Sequence, residues 1–417
     1  MVLGRAPAAA QSDPRAIAVV GGARLGVIYD DNFFLSEKDK RDDFREVVTP
    51  TLAIRLAPGR VRGELTYAPS LIHSSTTDEA LQVFHLLNAS GIVPLGERLS
   101  LTGSEHFVRT DEPALADPQS LLARRRLVLQ NVLSAGLPYK TETWSLAPRY
   151  TLTYNRTESD GATSVAGPGL DEESTIHVLG LDGTSELGPR NRLAASYELT
   201  IADFKVASDF VGQSGRLAFS REISHVTTAS MQASLDHRDP DGGSAFNIFR
   251  ADAGIRREAG PRLTLEARAG YQATDAAGGE EMPSFVLRAT YTGQWVRLTL
   301  AADQSLQETF LGPTNVGLIR TREASAELRY EPSDRLAFTL RGGVAENVFL
   351  QSGATAVFGG DGERTDILTS AGLEISYKLT RLLSATAGYY YSGRESTLRG
   401  FSYDDNRVVF GLSFTYE

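Results

Sequence analysis

Cysteine is absent from this chain of 417 residues, which excludes disulfide staples, thiolate metal sites and c-type haem attachment, and suits an oxidising compartment. An excess of basic residues is missing too. Lys and Arg number 42 against 52 Asp and Glu, for a net charge of −10, and the pI is near 5.3. That balance excludes nucleic acid as the expected partner, because phosphate backbones demand basic patches. No run approaches the roughly 18 apolar residues of a membrane-crossing helix. Hydrophobic content is 41% and mean hydropathy −0.20. Strands of a membrane barrel escape such a scan, since half of each strand is polar. None of the six histidines shows the i, i+4 spacing of a helical zinc site. Gly359, Gly360, Asp361 and Gly362 join no strand to a helix, so no phosphate loop is expected, and neither is a cofactor or a metal.

What is present is alternation. From Asp366 the chain reads DILTSAGLEISYKLT, then LLSATAGYYYSGRES, and closes with DDNRVVFGLSFTYE. Apolar residues such as Leu373, Ile375 and Tyr377, or Phe410, Leu412, Phe414 and Tyr416, take every second place. A period of two belongs to strands, whose successive side chains point to opposite faces. These strands run to about ten residues or more, the length a tilted strand needs to cross a bilayer. Aromatic residues cluster near strand ends, where interfacial girdles sit. The last residues are similar to the C-terminal signal of outer-membrane barrels, although the aromatic Tyr416 is followed by Glu417.

The hairpin pattern repeats from Ile17 to the end. Tight connections fall at Pro58-Gly59, Gly96-Glu97, Tyr139-Lys140, Gly188-Pro189-Arg190, His225, Gly260-Pro261, the Gly293 region, Pro332-Ser333-Asp334 and Thr380-Arg381, as two- to four-residue hairpin turns require. Between them lie longer stretches rich in Asp, Glu and Gly: 35–43, 111–121, 158–172, 239–245, 275–282, 351–365 and 396–404. A strict alternation of short turns and long loops is the asymmetry of outer-membrane barrels. The expected fold is therefore an all-β, transmembrane, antiparallel up-and-down barrel of about 20 strands, with 18 the other acceptable count. Short turns and both termini would be periplasmic. A soluble sandwich would bury the apolar face instead, and a β-propeller would carry a recurring repeat signature that this sequence lacks. Residues 1–16, with small residues at Ala8, Ala9 and Ala10 but no apolar core before them, are expected to be a signal-peptide remnant or flexible N-terminus. Residues 17–417 would form one barrel domain.

Assigning the polar member of each alternation to the lumen yields a lining dense in charge. It comprises Arg250, Asp252, Arg256, Arg262, Glu266, Arg268, Arg288, Arg297, Asp303, Glu323, Glu327, Arg329, Arg341, Glu374 and Lys378, with Arg55, Arg62, Glu64, Arg149 and Glu198 earlier in the chain. Such charges must face water or one another, because basic ones cost about 2–4 kcal/mol at the lipid midplane and acidic ones somewhat less. They either brace the wall as cross-strand ladders or line a path for a hydrated solute. Too few residues precede the first strand for a plug, so the lumen is expected to be water-filled or narrowed by inward-folded loops, with 158–172 and 351–365 as the long candidates. Ser104, Glu105 and His106 are the nearest approach to a catalytic cluster. On a strand only Ser104 and His106 share a side, so no catalytic residues are assigned. Acidic stretches such as Asp171-Glu172-Glu173 and Asp404-Asp405 read as solvated loop, or as sites for cations bridging lipopolysaccharide.

The opening GVIYDDNFFLSE, with Tyr29, Asp30 and Asn32 ending the first strand, and the closing three strands resemble an outer-membrane β-barrel porin family associated with exopolysaccharide export. That resemblance implies an outer-membrane pore in a Gram-negative bacterium, acting as the exit for a secreted polysaccharide. Its partners would be outer-membrane lipid, lipopolysaccharide and a periplasmic polysaccharide-export protein. It supplies no catalytic residues. The alternatives are a diffusion porin for small polar solutes and the barrel sheath of a porin–cytochrome conduit, which would need a separate multihaem partner.

Overall fold

The two-residue period closes into one continuous antiparallel sheet in a computed structural model, which describes residues 17–57, 61–76, 81–112, 127–158, 172–205, 208–276, 279–311, 314–350 and 364–416. The sheet holds 22 hydrogen-bonded segments. Two of these continue the segment before them, so the wall has 22 − 2 = 20 strands. The strands are β1 Ile17–Asp30, β2 Asp43–Leu56, β3 Arg62–Tyr67 with Ser70–Ser74, β4 Gln82–Pro94, β5 Ser100–Thr110, β6 Leu127–Gly136 with Tyr139–Lys140 and β7 Trp144–Glu158. They continue with β8 Glu172–Glu186, β9 Asn191–Phe204, β10 Phe210–Ser224, β11 Thr227–Pro240, β12 Phe246–Glu258, β13 Leu263–Thr274 and β14 Glu280–Thr292. The series ends with β15 Val296–Leu311, β16 Thr314–Ser333, β17 Leu336–Phe349, β18 Arg364–Lys378, β19 Leu383–Ser396 and β20 Tyr403–Tyr416. The breaks in β3 and β6 fall at Pro69 and Pro138, residues with no N–H to give the ladder. Each strand pairs with the next, and β1 also pairs with β20, from Gly21↔Tyr416 to Asp30↔Arg407. Closure leaves no edge, as a bilayer requires.

The two faces are chemically opposite. Large apolar side chains stand on the outside, among them Leu217 at 53% and Met231 at 59% exposure. Water would not tolerate that belt over a whole protein, whereas acyl chains do. Aromatic residues gather toward its ends; near the end bearing the short turns Tyr139 and Trp144 pack at 5.3 Å between ring centroids, and Tyr330 and Phe338 at 6.2 Å. The inner face is polar and cross-braced. Arg149 Nε donates to Asp182 at 2.9 Å and Arg149 also bonds Glu198, while Arg341 Nε donates to Glu327 at 2.8 Å.

At the end bearing the short turns, Gly188 and Gly260 sit at φ of +106° and +94°, a region that glycine enters without steric cost. The opposite end departs from the strict alternation read from sequence. The β15–β16 ladder runs up to Leu311↔Thr314, a tall hairpin at the end where the sequence pattern otherwise places its longer stretches. Residues 1–16, most of 158–172 and most of 351–365 lie outside the described residues.

Candidate functional site: the end of the lumen opposite the short turns

Two Asp-Asp-Asn triplets, Asp30-Asp31-Asn32 and Asp404-Asp405-Asn406, meet where β1 closes on β20. Asn406 donates its backbone N–H and its side-chain amide to the two carboxylate oxygens of Asp31, each at 2.7 Å. Asn32 Nδ2 donates to the Asp404 carbonyl at 2.8 Å and to the Ser36 carbonyl at 2.9 Å. Ser36 N–H returns a bond to Asn32 Oδ1 at 2.9 Å. These bonds turn the chain after β1 inward, so that Phe33 and Leu35 are buried. Leu35 is held at φ +53°, a strained position for a branched side chain that its surroundings must over-determine.

Beneath that turn five carboxylates meet two guanidiniums. Arg45, 1% exposed, lies 3.6 Å from Asp43, 3.8 Å from both Asp111 and Glu112, and 3.9 Å from Asp30. Its guanidinium also covers the Phe33 ring at 5.2 Å. Arg407 reaches Asp30 at 3.4 Å, Asp405 at 3.6 Å and Glu112 at 2.5 Å. Glu112 follows β5, five strands round the wall from β20, so Arg407 and Glu112 tie separated parts of the mouth together. Next to this network Asp366 receives Arg364 at 2.6 Å and Arg394 at 2.9 Å. Arg364 is itself sandwiched between Phe349 and Phe401 at 4.3 and 4.6 Å. Buried charges persist only when paired, and here the pairing is built from facing strands.

A second structure enters the lumen from β15 and β16. Pairing of β14 with β15 stops at Phe285↔Gln304, while the β15–β16 ladder continues. The freed hairpin leans onto the inner face of β12–β14. Leu306 and Leu318, each 1% exposed, pack there with Ile248, Ala276 and Met282. Arg250 Nη2 donates to the Leu306 carbonyl at 3.0 Å, Gln272 Oε1 accepts the Leu306 N–H at 2.6 Å, and Arg320 Nη1 donates to Glu280 at 2.7 Å. β16 comes within 8 Å of β8, Cα to Cα, eight strands away round the barrel. The hairpin therefore spans a large part of the lumen.

The residues singled out from sequence spread over the whole height of the wall, from Arg250 and Asp303 beside the hairpin to Arg297, Arg329 and Lys378 near the short turns. Arg250, Asp252 and Arg256 on β12, Glu266 and Arg268 on β13, Arg288 on β14, and Arg297 and Asp303 on β15 alternate with the exposed apolar residues of their strands, as do Glu323, Glu327 and Arg329 on β16, Arg341 on β17, and Glu374 and Lys378 on β18. Arg262 lies in the turn before β13. Arg250 holds the hairpin and pairs with Asp236 at 3.4 Å. Asp303 and Glu323 oppose each other at the hairpin's root. Arg268 pairs with Glu266 at 2.7 Å, and Tyr390 donates to Glu374 at 2.8 Å. The sequence reading did not single out Leu306, Leu318, Gln272, Arg320, Arg45 or Arg407. The one signal available was the repeated Asp-Asp-Asn triplet beside Arg407; Leu306 and Leu318 carry the same outward parity as Leu300 and Tyr330 on their strands, so nothing local marked them as lumen residues. His106 Nδ1 lies 2.7 Å from Asn88 Oδ1, on the face it shares with Ser104.

A closed barrel with a greasy exterior and a charged interior defines the class: an outer-membrane β-barrel of the channel type. Residues 223–416, somewhat under half of the chain, match the family described as "Putative beta-barrel porin 2", so the family resemblance read from the two ends of the sequence holds as an outer-membrane porin family. No curated protein matches the chain in sequence. Among solved structures, the FrpB iron transporter of Neisseria meningitidis superposes with a TM-score of 0.56 at 9% identity, over 95% of this chain and 81% of that one. The copper transporter OprC gives 0.52 at 11% identity, over 96% and 80%. The siderophore receptor PirA from Acinetobacter baumannii gives 0.50 at 8% identity, over 95% and 80%. At such identities the likeness is one of fold alone.

Proposed function

We propose that the protein is a diffusion channel of the Gram-negative outer membrane for small hydrophilic solutes, without enzymatic activity. The observation that carries this reading is the β15–β16 hairpin held inside the lumen by Leu306, Leu318, Arg250, Gln272 and Arg320. A fixed obstruction lined by mixed charge passes small hydrated molecules and stops wide ones. The solute would slide between the acids Asp303 and Glu323 and the arginines of β12–β14. Exit of a secreted polysaccharide, working with a periplasmic export protein, is the second reading. It draws on the family resemblance and requires the hairpin to swing aside. A sheath around a multihaem partner requires still more room.

Planar-bilayer recording and liposome swelling test the proposal. Reconstituted protein is expected to give steady conductance, to admit monosaccharides and amino acids, and to exclude oligosaccharides. Absence of small-solute flux, together with loss of surface polymer in a deletion strain, would overturn it in favour of polymer export.

A further inference from the structure

Glu105 stands midway along β5 on the lipid side of the wall. Its register partners are Ala89 on β4 and Leu133 on β6, and Leu133 is an exposed apolar residue of the outer belt. Two residues up on the neighbouring strand, Asn131 pairs in register with Phe107 and so shares this outer face. Among the described residues neither side chain has a hydrogen-bond or ion-pair partner, and Asn131 Oδ1 is buried without one. Elsewhere on the outer face charges lie toward strand ends or are paired, as Arg322 is with Glu346 at 3.0 Å. Lipid offers Glu105 nothing in return for leaving water, and a carboxylate at that depth is unfavourable. The relief nearby is low, with Gly103 opposite Ala135 one step toward the periplasm, so another wall can approach closely.

We propose that the outer face of β5 and β6 docks in the membrane against the same face of a second copy of this chain, with Glu105 of each copy accepting the side-chain amide of Asn131 of the other. The chemistry selects this partner. A two-fold axis between Glu105 and Asn131 brings one amide donor and one carboxylate acceptor from each copy, so the same bond forms twice, once in each direction, across a single self-complementary patch. Hydrocarbon satisfies neither.

The lack of native cysteine gives a clean background for testing. Leu133→Cys, beside the implied axis, is placed in the full-length chain and oxidised in intact outer membranes. Leu265→Cys, an exposed outer-face leucine on β13, is the control. Leu133→Cys is expected to yield a disulfide-linked species of twice the chain mass, several-fold above the control. Adding Glu105→Leu is expected to reduce that yield several-fold, and Glu105→Gln to preserve it, because the amide still accepts a bond from Asn131. Cross-linking no greater than the control overturns the proposal. So does an adduct of any other mass, or a yield indifferent to Glu105→Leu. Heat-modifiable migration of each variant verifies that its barrel is folded.

Discussion

Arg407 touches Asp30, Asp405 and Glu112 at once, and removing it takes one of two guanidiniums from a cluster of five carboxylates, leaving Arg45 at 3.8–3.9 Å as the cation beside Asp30 and Glu112. Breaking such a buried pair costs about 3–5 kcal/mol, so Arg407→Met is expected to lower the unfolding midpoint in detergent markedly. The same variant should raise single-channel conductance, since the tie to Glu112 is lost. Leu306 is a packing residue, and Leu306→Ala is expected to cost about 2–5 kcal/mol of local stability at the hairpin, read as noisier current rather than as unfolding of the wall. Asp275, in the connection between β13 and β14, behaves differently. The backbone N–H of Asn247, and then its side-chain amide, hold the Asp275 carboxyl below its ordinary value of 3.8. A group depressed in the folded state stabilises above its unfolded pKa and loses that contribution as pH falls through the folded value. Its carboxyl-carbon titration is therefore expected to have a midpoint below 3.8, moving up in Asn247→Ala.

The β15–β16 hairpin is the element on which the proposed function turns. Its two strands continue past the point where β14 stops pairing, and an unpaired strand edge must be covered or satisfied. Burying Leu306 and Leu318 against Ile248 and Met282 does this inside the lumen. Replacing residues 305–318 by a short turn is expected to leave the wall intact, because β16 holds β17 along the whole ladder from Arg320↔Val348 to Tyr330↔Phe338. Conductance should rise several-fold and the size limit for solutes should move upward in liposome swelling. Unchanged conductance would remove the hairpin from the permeation path.

At the scale of the whole molecule the polarity of the two faces governs insertion. Ala267, outside on β13, and Arg268, inside, are neighbours in sequence and opposites in environment. Ala267→Arg is expected to cost about 2–4 kcal/mol at the belt and to reduce the folded, heat-modifiable fraction. Arg268→Ala, which breaks a half-exposed ion pair with Glu266, is expected to cost no more than about 1 kcal/mol. Much of this was legible in the order of residues. The period of two from Leu383 to Tyr416, the turn residues Gly188 and Gly260, and the short connections yield a barrel of about 20 strands, because strand, turn and face are local properties carried by neighbours in the chain. The meeting of Arg407 with Glu112 and the lean of Leu306 onto Ile248 were not legible, and Arg250 was readable as a lumen residue but not as the clamp on that hairpin. These contacts join residues far apart in sequence, and nothing local to either partner specifies the other. Alternation by itself settled that the chain makes a two-faced sheet long enough to cross a bilayer; only closure of that sheet, which sets strands five and eight apart face to face across the lumen, decided what stands in the channel.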